Sequence, residues 1–222
     1  MGLDMYLNKV KRIGDASLNE ILETERYIDW QKRPMDRYAD CIPEEWNGCD
    51  IKYVRMDLLE EVRKEYIHRY PVWDEKHEYG FETIQQEVAY WRKANQIHDW
   101  FVNNVQDGND DCECYEVSEE QLRDLLDICI KVRDGSELVD GKVLNGITYD
   151  KDGEHKNWED GKVIKDPSIA KELLPTCHGF FFGGDDYDEW YYEAITYTID
   201  ALTKILSETD FEHEIVFYHS SW

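Results

Sequence analysis

Two short segments hold the residues best suited to chemistry. The first is Tyr90-Trp91-Arg92-Lys93-Ala94-Asn95-Gln96-Ile97-His98. The apolar spacing of Ile84, Val88, Trp91, Ile97 and Phe101 predicts one helix over about 82–104. On it Trp91, Asn95 and His98 stand at i, i+4 and i+7, one face, with Glu87 a turn earlier and Arg92 and Lys93 on the flanks. An aromatic plate, an amide and an imidazole in a row suit a flat, polar ligand. Trp91 would stack a base, Arg92 and Lys93 would meet phosphates, and Asn95 and His98 would hydrogen-bond a base or a ribose. The plainer alternative makes Trp91 core and ties Asn95 and His98 to neighbouring backbone, since buried polar groups find partners either way.

The second segment follows Gly183-Gly184 and reads Asp185-Asp186-Tyr187-Asp188-Glu189-Trp190-Tyr191-Tyr192. Glycines let a backbone approach a ligand closely. Asp188 or Glu189 would hold ribose hydroxyls, and Trp190 offers a second stacking plate beside Tyr191. Capping of the helix that follows explains at least one of these carboxylates. The two segments are expected to face each other across one pocket.

The common catalytic and nucleotide-binding loops GxxxxGK[ST], GxGxxG and GxSxG are absent, as is HExxH. Asp107, Asn109 and Asp111 imitate the start of a calcium loop, but Cys112 stands at its sixth position and Ser118 at its twelfth. Cys112-x-Cys114 lacks the paired spacing of a structural zinc site. No metal ligand, catalytic residue or cofactor is therefore assigned. The six cysteines form no regular framework, and no secretory leader is visible, so they read as free thiols of a reducing compartment.

The elements that must position these segments are partly legible. Residues 3–10 alternate as a strand, and so does the C-terminal HEIVFYHSSW. Ser17 with Glu20, and Ser118 with Gln121, are capping boxes opening helices. The second of these carries the stripe Leu122, Leu125, Leu126 and Cys129. Residues 30–50 read as a loop, 51–56 as a strand, and Asp57 as the cap of a helix ended by Pro71. Residues 141–165 predict a protruding β-hairpin. Asp166-Pro167 starts a short helix that Pro175 stops, GFFFGG forms a buried strand or crossover, and Asp188 caps the last long helix. The expected fold is α+β: helices packed on a small antiparallel sheet that contains both terminal strands, in one domain spanning 1–222.

A formal net charge of −25, from 50 acidic and 25 basic residues, repels a phosphate backbone and an anionic membrane. Neither nucleic acid nor membrane is an expected partner. No apolar run approaches the roughly 20 residues that a membrane helix needs. The high aromatic content of 14% suits both a core and a stacking site.

The start GLDMYL, the central EVAYWRKANQIHDWF, the later LLPT and GFFFGGDDYDEWYYE, and the terminal SSW resemble a family of uncharacterised proteins from phages and prophages. That resemblance implies a small protein made in the bacterial cytoplasm during infection. The reading that follows is a non-enzymatic binding protein. It would sequester a small nucleotide-derived immune signal, such as a cyclic nucleotide or a cyclised ADP-ribose, and so block host defence. Its ligand-binding residues would be Trp91, Arg92, Lys93, Asn95, His98, Asp188, Glu189, Trp190 and Tyr191. Two rivals are a nucleotide-cleaving enzyme with His98 as general base, and an acidic protein-binding inhibitor or DNA mimic. Self-association into a homo-oligomer is compatible with the sequence.

Overall fold

A computed structural model describes residues 2–32, 50–69, 81–151, 153–179 and 182–222. The fold is α+β, as expected. Its main sheet has four strands in the order β4-β1-β8-β5, with β1 spanning Asp4–Lys11, β4 Gln86–Arg92, β5 Tyr115–Val117 and β8 Glu214–Ser221. The N- and C-terminal strands are neighbours in it. They run antiparallel: the Arg12 amide at the end of β1 donates to the His213 carbonyl just before β8. β4 also opposes β1, with the Lys93 amide donating to the Leu3 carbonyl. The helices are α1 (Leu18–Lys32), α2 (Leu59–Lys64), α3 (Asn95–Asn104), α4 (Glu119–Asp134), α5 (Ser168–Leu173) and α6 (Glu189–Glu208).

The chain gathers into two compact units. The larger comprises residues up to Leu7, Val88–Thr209 and Phe217–Trp222. Its core takes Leu3 just before β1, Met5 and Leu7 from alternate positions of β1, Ala89 and Trp91 from β4, and Phe217 and Tyr218 from β8. Phe101 of α3 stacks on Tyr218 with ring centroids 4.1 Å apart. α4 opens on the predicted capping box, in which Ser118 and Gln121 bond each other's backbone amides. Its buried stripe is Leu122, Leu125, Cys129 and Val132, and it packs on α6, which buries Ile195, Ile199, Leu202 and Ile205. Burial pushes the Cys129 thiol up to about 12, so it stays protonated and inert.

The predicted hairpin is present. β6 (Leu138–Asp150) pairs antiparallel with β7 (Gly153–Ile164), with a bulge between Leu144 and Gly146. Its base is tied down where the Ile164 amide donates to the Tyr187 carbonyl. Asp166 accepts from the Ser168 amide at 3.1 Å and thereby opens α5, one residue earlier than a standard cap. Leu174 and Pro175 close it.

The smaller unit comprises Asn8–Glu87 and Asp210–Val216. Ser17 and Glu20 form the expected capping box of α1. Buried Glu25 of α1 receives the Thr83 hydroxyl at 2.6 Å, the Ile84 amide at 2.8 Å and the Gln85 side chain at 2.7 Å. Those bonds satisfy a charge that would otherwise be costly to bury. β2 (Ile67–Arg69) and β3 (Phe81–Thr83) make a two-stranded ribbon here.

Three local expectations need correction. Residues 51–56 form no strand; Ile51–Tyr53 and Met56–Leu58 are short 3-10 turns. α1 straps this stretch from the side, with Glu23 accepting the Asp50 amide and Thr24 the Arg55 amide, so no strand partner is needed. Asp57 caps nothing: both its oxygens bind Arg55, and α2 starts at Leu59. The supposed single helix over 82–104 is β3, β4 and α3 in succession. Within Gln86–Arg92 the buried Ala89 and Trp91 alternate with exposed Tyr90 and Arg92, which is a strand's period. Lys93 then takes a left-handed φ of 59° and turns the chain into α3. The predicted loop at 30–50 lies mostly, and Pro71 wholly, outside the described residues.

Candidate functional site

A cleft of about 1070 Å3 opens in the larger unit. One wall is the β4–α3 junction, from Tyr90 through Ala94 to Gln96. A second is the Gly183–Asp188 loop with the first turns of α6. The bulged part of β6, Leu144–Gly146, also lines it. The two segments singled out in the sequence therefore share one cavity.

Within the second wall, α6 presents Trp190, Glu193, Ala194 and Tyr197, spaced i, i+3, i+4 and i+7, as one stripe. Trp190 is 60% exposed, so its ring face is open to a ligand. Tyr197 is less free: its hydroxyl accepts from the Tyr90 amide at 3.1 Å. The phenol of Tyr90 donates to Asp4, which keeps it protonated to above its usual range.

Arg92 and Lys93 both line the cleft and are both exposed. Arg92 lies 3.5 Å from Asp4 in a loose surface pair, and Lys93 has no carboxylate partner among the described residues. The two walls touch where Gly183 packs on the backbone of Lys93. A Cβ at Gly183 would sit 2.8 Å from the Lys93 carbonyl oxygen, and its φ of +106° suits only glycine.

Other predicted site residues turn out to hold the walls up. Trp91 is buried, and its indole Nε1 donates to Thr198 Oγ1 at 2.9 Å. Its ring belongs to the core, so the stacking role passes to Trp190. Asn95 is buried beneath the cleft. Its Oδ1 accepts the Cys177 amide at 2.9 Å and its Nδ2 donates to the Gly184 carbonyl at 2.9 Å, which stitches the loop to α3. His98 is buried too, between the Tyr218 hydroxyl at 2.8 Å and Asp110 at 3.2 Å. Asp110 also accepts the Trp222 indole, 3.0 Å away. Neither Asn95 nor His98 reaches the cavity. Because the chain changes from strand to helix at Lys93, Trp91 never shares a helix face with them.

Asp188 lines the cleft and caps α6, accepting the amides of Trp190 at 3.0 Å and Tyr191 at 3.1 Å. Burial raises its carboxyl above the usual range despite those two bonds. Tyr191 is buried, its hydroxyl donating to the Leu174 carbonyl at 2.8 Å. Glu189 is half-buried beside Gly161 of the hairpin and does not line the cavity.

The cleft also contains residues to which the sequence assigned no role. Glu193 and Tyr197 belong to the second wall with Asp186, a carboxylate of the second segment, and the i, i+3, i+7 spacing from Trp190 is the signal that would have found them. Asn145, at the hairpin bulge, and Gln96, second residue of α3, had no comparable signal.

Among the described residues, the exposed trio Asp210, Glu212 and His213 is the sole set close enough to share a metal ion, and a turn in which Asp210 accepts from His213 accounts for it. Cys112, Cys129 and Cys177 are free thiols. No described helix is long and apolar enough to cross a membrane. The chain matches no known protein family, no curated protein and no solved structure.

Proposed function

We propose that this protein binds a small, flat, anionic ligand of the nucleotide class in the cleft between the β4–α3 junction and α6. One observation carries the reading: an exposed tryptophan face, Trp190, and two exposed cations, Arg92 and Lys93, line the same cavity. Its volume of about 1070 Å3 lies just above the range of about 300–1,000 Å3 typical of small-molecule sites. Stacking on Trp190 would hold a base, and Arg92 and Lys93 would meet phosphate oxygens. The carboxylates of Asp186 and Glu193 would accept ribose hydroxyls.

A binding role is favoured over cleavage because the general base that an enzyme would recruit, His98, is buried on Tyr218 and Asp110. The resemblance to phage proteins supplies the setting: a cytoplasmic protein that withdraws a nucleotide-derived immune signal from its host receptor. The test is calorimetric titration with a panel of cyclic mono- and dinucleotides and cyclised ADP-ribose, followed by heat release and mass analysis. Binding with recovery of an unchanged ligand is expected. Recovery of a product would make the protein an enzyme, and an empty panel would overturn the nucleotide reading.

A further inference from the structure

The polar atoms of a folded interior are nearly always paired, so an unpaired one next to a cavity points to whatever fills that cavity. Among the described residues three buried side-chain atoms lack a hydrogen-bond partner: Gln96 Nε2, Gln106 Oε1 and Ser220 Oγ. Only Gln96 lines the cleft. It is 3% exposed, and its amide nitrogen is a donor with nothing to donate to.

The groups beside it along the chain are donors, while the carboxylates that line the cleft, Asp186, Asp188 and Glu193, belong to the second wall. Gln96 is the second residue of α3, a helix of ten residues whose N-terminus lies at the cleft. Ala94 stands at the cap position and offers no side-chain acceptor. The amides of Ile97 and His98 go to the Ala94 carbonyl, while those of Asn95 and Gln96 have no capping side chain. An uncapped helix start carries a partial positive charge. Lys93 and Arg92 precede it directly and line the same space. Serine, threonine or aspartate at 94 could have accepted the Gln96 amide internally; alanine leaves it for a ligand.

We infer that the start of α3 is an oxyanion corner, in which Gln96 Nε2, the first-turn amides of α3, Lys93 and Arg92 together hold a phosphate group of the ligand. The inference rests on the nucleotide-class reading of the cleft and assigns the end at which the phosphate sits. It also assigns Gln96, buried and uncharged, the part of orienting the group that the two cations attract. Helix N-termini and backbone amides are well suited to this, since they supply fixed donors that need no side-chain ordering.

The test compares three probes on the full chain: adenosine 5′-monophosphate, adenosine and inorganic phosphate. Binding is read by calorimetry and by amide NMR, with the Gln96 side-chain signal identified by its loss in Gln96→Leu. That variant replaces an unpaired buried donor with an apolar group of similar shape, so its melting temperature should not fall. The expected result is that the monophosphate shifts the Gln96 side-chain amide and that Gln96→Leu weakens its binding about tenfold or more. Adenosine should bind wild type and variant alike. Gln96→Glu, which puts a negative charge in the corner, should abolish monophosphate binding.

If the monophosphate binds but Gln96→Leu holds it as tightly as wild type, the corner is wrong and the cleft reading stands. If inorganic phosphate shifts Gln96 while neither nucleoside nor nucleotide binds, the corner stands and the nucleotide reading falls. If no probe binds, both are overturned.

Discussion

His98 and Arg92 are separated by six positions in sequence and by the whole difference between support and contact in the fold. His98 satisfies a buried tyrosine hydroxyl and a carboxylate at once. His98→Ala should leave the Tyr218 hydroxyl without a partner, at a cost of about 1–3 kcal/mol. At about 2–4 °C per kcal/mol for a chain of this size, the melting temperature should fall by several degrees with no ligand present. Arg92→Ala should behave oppositely. Its pair with Asp4 is exposed and loose, worth about 0–1 kcal/mol, so thermal melting should barely move while affinity for a phosphate-bearing ligand drops. Equal loss of stability in both variants would refute this division. The residue types of the site were legible in the sequence, because Trp, Arg, Lys and Asp declare their chemistry. Their exposure was not. Trp91 and Trp190 are the same side chain, and only the direction of β4 against the first turn of α6 decides which is core and which is surface.

Elements with a local chemical signature were legible, and those defined by their partners were less so. Both capping boxes and the Asp188 cap are closed loops of a few residues, so the sequence carries the whole motif. The β3–β4–α3 stretch has no such marker. Its apolar residues fit a 3.6 period and a twofold one equally well, and pairing with β1 settles the choice. The Asp188 cap makes a pH prediction at this scale. Burial raises the Asp188 carboxyl, so the folded state holds its proton at a pH where the unfolded chain has released it. By linkage, this group's contribution to stability declines as pH rises from the ordinary value of 3.8 through the raised folded one. Asp188→Asn keeps a good capping side chain and cannot ionise. Urea midpoints of the variant relative to wild type should therefore improve as pH increases across that window, then level off. A difference that stays constant with pH would show that desolvation of Asp188 is unimportant.

For the molecule as a whole, charge is the dominant property. At −25 the chain repels itself, and compactness is maintained against that repulsion. Raising ionic strength from about 0.01 M to about 0.1 M shortens the screening length from about 30 Å to about 10 Å. The melting temperature should rise over that range in the ligand-free protein, as scanning calorimetry would show; a fall would mean that favourable ion pairs outweigh the general repulsion. Composition alone made this legible. The grouping of Arg92 and Lys93 with the start of α3 required the three-dimensional fold, because a cluster of three donors cannot shift a sum over 75 charges.

The contact between Gly183 and the main chain of Lys93 has a consequence for how such a protein can change over generations. The spacing of the two cleft walls is set there by Gly183 against the main chain and Cβ of Lys93, with none of the longer side-chain atoms involved. That contact does not depend on the residues at the rim of the cavity, although Asn95 and Tyr197 add side-chain ties elsewhere in the frame. Trp190 and Asn145 stand at its margins, exposed and free of any framing duty of this kind. Mutations at those margins can retune which molecule is accepted while the frame is inherited intact. A lineage under pressure to follow a changing target would need only to alter the rim.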